Sequence, residues 1–212
     1  MKLPAVFSAM LIATVLSGGD KINETVLFDG KTLNDWQVLD AGGSGKVEVK
    51  DGQMLIGIGD SLTGVIYKNA DKLPVTNYEI TFDAQRLEGD DFFCGLTFPV
   101  GNLKTCATLI CGGWGGSVTG ISCIDGLDAS ENATGHFHKW EDKKWHRIKL
   151  RVTPETIIVW ANDEKIIEVE IKGRKIGLRS GSIEDYAPLS FTTYQTAAAI
   201  KNVVLTPIKD KK

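Results

Sequence analysis

Apolar residues in this chain recur at every second position, and that period confines it to β-structure. In "HRIKLRV" (His146 to Val152), Ile148, Leu150 and Val152 alternate with Arg147, Lys149 and Arg151, the pattern of a strand with one face in a core and one in water. "KVEVKDGQMLIGIG" is two such runs around Asp51-Gly52, a standard hairpin turn. "TIIVWANDEKIIEVEI" repeats the arrangement around Asn162-Asp163. Further strands are expected in "GVIYK", "YEITFDAQRLE", "DFFCGLTFPV", "KTCATLICG", "VTGISCI", "KIGLRSG" and "AAIKNVVLTPI", and only "SIEDYA" has a helix-like period. About a dozen short strands with turn residues between them describe an all-β fold, an antiparallel β-sandwich.

No Gly/Ser-rich or Pro-rich linker and no internal repeat interrupts the pattern, so residues 20–212 are expected to form one sandwich domain. Residues 1–19 read differently. Lys2 is followed by an apolar run from Leu3 to Leu16 and then by small residues, the pattern of a secretory signal peptide. The run is shorter than the roughly 20 residues a membrane span needs, so an exported protein, periplasmic or extracellular, with no membrane span in its mature form is expected. Without the leader the chain carries 23 cations against 27 acids and has no basic run, which excludes the electrostatic footprint of a nucleic-acid binder. The cysteines, Cys94, Cys106, Cys111 and Cys123, form no CxxC pair and have no histidine beside them, so a zinc site is not indicated. An exported setting permits disulfides, yet all four lie in apolar strand-like runs where buried thiols also fit, and both states stay open.

One stretch is unlike the rest. "CGGWGGSVTGISCIDGLDASENATG" (Cys111 to Gly135) holds seven glycines, a tryptophan, and Asp125, Asp128, Glu131 and Asn132 within eight residues. Three readings of the acidic segment compete. Asp125-Gly126 and Asp128 can be turn-making residues. The alternating oxygen side chains can hold a divalent metal ion or a sugar, although the EF-hand spacing is absent. They can also supply a general acid and base. Trp114, flanked by glycines, is either a core indole at a bulge or an uncovered platform for a sugar ring.

At "LFDGKTLNDWQV" (Leu27 to Val38) the chain resembles the 3-keto-disaccharide hydrolase family, also described as 3-keto-glucoside lyase/hydratase domains. "WHRIKLRVTPETIIVWANDEKII" and the closing "AAIKNVVLTPI" resemble later parts of the same family. The resemblance implies a concanavalin A-like jelly roll and activity on glycosidic bonds of 3-keto sugars. A non-catalytic carbohydrate-binding module of the same fold is the alternative. The middle departs from the family pattern: where an "NSGI-x-FR" strand and a Glu/Gln-bearing strand are common, this chain reads "FFCGLTFPVG" and "CATLICGGWGG", as in a variant group of the family.

The implied chemistry needs few groups. A ketone at C3 acidifies the C2 proton, so a base can remove it while an acid assists departure of the glycosidic oxygen. A donor or cation must stabilise the enolate oxygen, and an aromatic face seats the ring. The residues that fit are Asp125, Asp128 and His138 for proton transfer, and Trp114, Asn132, Arg86 and His136 for contact with the carbohydrate. His136 and His138 flank Phe137 and would share one strand face about 7 Å apart, as two metal ligands, a base pair or plain surface histidines. Arg86 lies at a charged strand end, where a solvated turn is the alternative to an oxyanion partner. His146 is expected to alternate outward beside Trp145.

Overall fold

A computed structural model describes residues 23–40 and 42–209. The expected leader, residues 1–19, lies outside the described residues, and among those described no helix is long and apolar enough to cross a membrane. Fourteen strands follow in order: Thr25–Phe28 (β1), Trp36–Leu39 (β2), Val47–Lys50 (β3), Gln53–Ile56 (β4), Leu62–Tyr67 (β5), Tyr78–Glu88 (β6), Cys94–Asn102 (β7), Thr105–Gly112 (β8), Val118–Ser122 (β9), His146–Val152 (β10), Thr156–Ala161 (β11), Glu164–Glu170 (β12), Ser190–Tyr194 (β13) and Ala197–Pro207 (β14). They form two antiparallel sheets. One has the order β12-β11-β10-β6-β14-β4-β3 with β1 on the far half of β14; the other runs β2-β5-β13-β7-β8-β9. The chain is the β-sandwich that its alternation specifies.

Both hairpin signals produce the expected turns. Asp51 and Gly52 have φ of 50° and 77° between Lys50 and its partner Gln53, and Asn162 and Asp163 have φ of 48° and 69° between Ala161 and Glu164. Two successive left-handed residues match the right-handed twist of the strands they join. In β10, Ile148, Leu150 and Val152 are fully buried while Arg147 faces out. The same parity buries His146, which was expected outside: it lies two residues before Ile148, on the core side, and packs at 90° against Trp140. Its Nε2 donates to the Glu141 carbonyl at 3.1 Å, and Nδ1 accepts from the Asn162 amide at 3.2 Å. "KIGLRSG" is not a sheet strand; Ile176 makes a single bridge to Ile124, and the segment runs on as a loop.

The core lies between the sheets. Phe82 of β6 meets Phe191 of β13 edge-on at 5.0 Å, and Trp36 of β2 packs against Phe191 and Tyr67 at 5.7 and 5.1 Å. Two buried hydrogen bonds cross the interface, from the Tyr78 hydroxyl to the Pro99 carbonyl at 2.6 Å and from the Trp36 indole to the Leu27 carbonyl at 2.9 Å. All four cysteines are free thiols and buried, with Cys94 directly across from Cys111. Burial pushes the thiols of Cys94, Cys106 and Cys123 above the ordinary range, Cys106 to about 11.

The two faces of the six-stranded sheet differ. Val65, Phe191, Leu96, Leu109 and Ile121 form one cross-strand row on the core side. The rows on either side of it face away from the core: Gly64-Thr192-Gly95-Ile110-Gly120, and Ile66-Ser190-Thr97-Thr108-Ser122. The glycines, serines and threonines of these rows are nonetheless buried, because the segments after β9 and before β13 fold over them. At Gly64 a Cβ would lie 2.3 Å from the Phe191 carbonyl, so any side chain there pushes β5 and β13 apart. Gly64→Ala is expected to lower unfolding stability by about 1–3 kcal/mol. Gly177→Ala, where a Cβ meets nothing within 4 Å, should stay within roughly ±0.5 kcal/mol. Urea denaturation of the two variants checks the difference.

Candidate functional site

The covering segments leave two adjoining hollows over the polar rows. The first, about 350 Å³, is floored by Thr108, Ile110 and Ser122 and walled by Phe92, Tyr194 and Trp114. The second, about 410 Å³, is bounded by Cys123, Asp128, Ser130 and Glu131. Trp114, Asp128, Arg179 and Ser180 border both.

Trp114 reaches this position through an unusual turn. Between β8 and β9 the backbone passes through left-handed conformations at Gly112 (φ 74°), Trp114 (φ 52°), Gly115 (φ 69°) and Gly116 (φ 80°). Glycine tolerates this; tryptophan does not, and its strained backbone persists only because its surroundings hold it. Asp91 accepts a hydrogen bond from the Gly115 N–H at 3.1 Å, and the Ser117 hydroxyl donates to the Trp114 carbonyl at 2.9 Å. The residue is 39% exposed. Trp114 is therefore not a core indole. Phe92 and Tyr194 stack on each other at 6.1 Å and form the facing aromatic wall.

Asp128 is the carboxylate between the hollows. It accepts from the Ser122 hydroxyl in a short hydrogen bond and from the Ala129 N–H at 2.7 Å, and it pairs with the Arg179 guanidinium at 3.0 Å. Its side chain is only 12% exposed. The Arg179 guanidinium also lies over the Trp114 ring, 5.9 Å from its centre. Nothing in the local pattern of "GLRSGS" marks Arg179; only the fold brings it to Asp128, which is 51 residues away in the chain.

The other expected site residues are placed elsewhere. Asp125 lies at an exposed turn (φ 55°) and lines neither hollow. Its carboxylate accepts from the Lys175 N–H at 2.8 Å and from Arg174 at 2.7 Å, and these bonds hold its pKa below the usual carboxylate range. Asn132 spends its whole amide on the loop. Nδ2 donates to the carbonyls of Ile121, Leu127 and Asp128, and Oδ1 accepts from the Thr134 N–H and hydroxyl. Arg86 is buried behind the Trp114 turn, paired with Asp142 at 3.0 Å and lying over the Phe93 ring. Gly112 and Gly116 make room for it: a Cβ at Gly112 would lie 2.4 Å from Nη2.

His136 and His138 do share a face, with ring centres 6.4 Å apart, but neither lines the hollows. His136 Nδ1 donates to the Thr134 carbonyl at 3.0 Å, and His138 packs edge-on against Trp140 at 4.4 Å. Burial, helped by the neighbouring His136, lowers the His138 pKa. Of Asp125, Asp128, Trp114 and His138, the fold brings Asp128 and Trp114 to the hollows and leaves Asp125 and His138 outside them. Among the described residues no group of three or more His, Cys, Asp or Glu side chains is arranged to hold a metal ion. In the acidic loop, the carboxylates of Asp125, Asp128 and Glu131 are taken up by Arg174, by Arg179 and by the Asp128 N–H.

The pairing of an aromatic wall with one buried carboxylate suits a neutral polyhydroxylated ring, whose apolar face stacks and whose hydroxyls need donors and acceptors. Similar folds are found among carbohydrate-active proteins. A candidate glycosyl hydrolase from Parabacteroides distasonis superimposes with a TM-score of 0.52 at 16% identity, over 88% of this chain and 94% of that one. A β-1,3-1,4-glucanase (lichenase) derived from a mouse hindgut metagenome gives 0.56 at 9% identity, over 88% and 99%. The carbohydrate-binding module CBM66 from Bacillus subtilis gives 0.54 at 11%, over 81% and 95%. At these identities the likeness is one of fold. No curated protein matches the chain in sequence. The family model described as a 3-keto-alpha-glucoside-1,2-lyase-like domain matches residues 23–206, nearly the whole sandwich, and the chain belongs to that family.

Proposed function

We propose that this protein cleaves glycosidic bonds of sugars that carry a ketone at C3, with Asp128 transferring the proton. Three things support the reading: family membership, the aromatic-walled hollow, and above all the position of one fixed, nearly buried carboxylate on the border of both hollows. A ring seated between Trp114 and the Phe92/Tyr194 wall presents its edge to Asp128. The carboxylate takes the C2 proton, and the C2–H electrons form the enolate with the C3 oxygen. As the enolate collapses, the C1–C2 double bond forms, the C1–O bond breaks, and protonated Asp128 returns its proton to the departing oxygen. Water then adds across the double bond, hydroxyl to C1 and hydrogen to C2, so the net reaction is hydrolysis.

Charge develops on the C3 oxygen, and Arg179 supplies the compensating cation. Its guanidinium carries five N–H donors in a rigid fork, of which the ion pair with Asp128 occupies only part. Ser122 and the Ala129 N–H hold the carboxylate in one orientation, so little reorganisation accompanies proton transfer. No step falls to Asp125, His138, His136, Asn132 or Arg86, whose side chains are engaged away from the hollows.

Binding of carbohydrate without turnover is the second reading, and the three partners of Asp128 favour it, since a carboxylate so fully engaged is also a good structural anchor. Kinetics on a 3-keto-glucoside separates the two. Asp128→Asn should lower kcat/KM by at least ~100-fold, the low end for a general acid or base. Asp125→Asn should remain within about threefold of the parent, because its loss removes only surface turn contacts. An unchanged rate in Asp128→Asn would remove the proposed mechanism. Trp114→Ala should weaken sugar binding roughly tenfold under either reading, as measured by titration with an unoxidised glucoside.

A further inference from the structure

The two hollows meet at four residues, and two of them are held in place by hydrogen bonds. Trp114 is held by the turn that Asp91 and Ser117 brace. Asp128 is held by Ser122 and the Ala129 N–H. Ser180 adds only a short side chain on a loop. The fourth, Arg179, is different: its side chain is 63% exposed, and its guanidinium touches the Asp128 carboxylate on one side and the Trp114 ring on the other. The ring contact, at 5.9 Å on a partly exposed residue, is of a kind worth no more than about fivefold in an equilibrium at exposed sites, and breaking it leaves the ion pair with Asp128 in place. Arg179 is thus a weakly held partition between two rigid walls.

The spaces it separates differ in chemistry. The first hollow is aromatic on two sides, with Phe92, Tyr194 and Trp114. The second is polar and acidic, with Ser130, Glu131 and the thiol of Cys123. Each volume, about 350 and 410 Å³, lies at the low end of the roughly 300–1,000 Å³ of small-molecule sites, whereas the joined space lies well inside that range. The loop bearing Arg179 is anchored on both sides, so the motion is one of the side chain alone. It is tied at Gly177, which exchanges backbone hydrogen bonds with Cys123 at 2.7 and 3.2 Å, and picked up again by the 3-10 turn at Ser182–Tyr186.

We propose that Arg179 is a specificity-determining partition: a one-ring ligand occupies the aromatic hollow with the guanidinium in place, and a ligand with a second unit must lift it from the Trp114 ring to reach the polar hollow. The inference rests on the reading that sugars bind against Trp114, and it adds that ligand length is sensed by one side chain. Ligands with a hydrophilic second unit gain the contacts of the acidic hollow but lose affinity to the displaced partition.

The test compares methyl α-glucoside with methyl α-maltoside, which adds one ring to the same glycoside. Neither carries the C3 ketone, so neither is turned over and both report binding alone. Dissociation constants come from NMR titrations of the Trp114 indole N–H. In Arg179→Ala, and equally in Arg179→Met, which keeps an unbranched stem without either contact, the affinity ratio of two-ring to one-ring ligand should rise roughly three- to tenfold. Arg179 is exposed, so both variants are expected to fold. In the unsubstituted protein, the Arg179 Nε–H resonance should shift with the maltoside and not with the glucoside. Binding of both ligands with a ratio unchanged within twofold would overturn the partition and leave the sugar site intact. Binding of neither, or binding indifferent to Trp114→Ala, would overturn the sugar site and the partition together.

Discussion

The hollows exist because alternate residues of five hydrogen-bonded strands are held on opposite faces of one sheet. The row Val65-Phe191-Leu96-Leu109-Ile121 seals the interior against the eight-stranded sheet. The neighbouring rows cannot also face inward, because a pleated strand turns successive side chains to opposite sides. They present Gly64, Thr192, Gly95 and Gly120, and Ser190, Thr97, Thr108 and Ser122, to the segments that fold over them. Small side chains leave room above the sheet, and their hydroxyls give that room a polar floor. Thr97 and Thr108 satisfy each other at 3.0 Å, and Thr192 donates to the Gly95 carbonyl at 3.2 Å, so the floor is buried without wholesale loss of hydrogen bonds.

On that floor, rigidity is distributed unevenly. Asp128 and Trp114 are fixed by short-range bonds to neighbouring elements, and the left-handed backbone at Trp114 is a local cost that the surrounding contacts offset. Arg179 is held only by a partly exposed ion pair and a ring contact, both sensitive to solvent. A fixed carboxylate beside a movable cation is an arrangement suited to binding ligands of more than one size. The opposite face of the molecule is charged. There the eight-stranded sheet pairs Arg147 with Asp83 and lays Lys149 over Trp160 and Lys201 over Trp145, a solvated charged surface.

Much of the fold was legible in the sequence, for identifiable reasons. The Asp51-Gly52 and Asn162-Asp163 turns encode their own backbone conformations, and the alternation in "HRIKLRV" names its buried face. That same parity buries His146, two positions before Ile148, although a histidine invites an outward assignment. "KIGLRSG" has the composition of a strand but makes one bridge, since pairing depends on a neighbouring edge that local pattern does not describe. For the site, the glycine-flanked Trp114 and the carboxylate of Asp128 were visible as unusual residues in an unusual stretch. Asp125 carried the same signal and lies at an exposed turn, tied to Arg174. Asn132 looked like a ligand amide and is instead the internal brace of its loop. Turn-making and ligand-binding use the same side chains, so composition does not separate them.

By itself the sequence determined an all-β chain and its hairpin turns, because turn chemistry and a two-residue period are local properties, and its "LFDGKTLNDWQV" block carried the resemblance to the family. Which carboxylate borders the hollows, which arginine meets it, and the division of space between an aromatic and a polar side were decided only by tertiary structure. Arg179 and Asp128 are 51 residues apart in the chain and 3.0 Å apart in space. Contacts of that kind follow from how loops close over a sheet, and no local period records them.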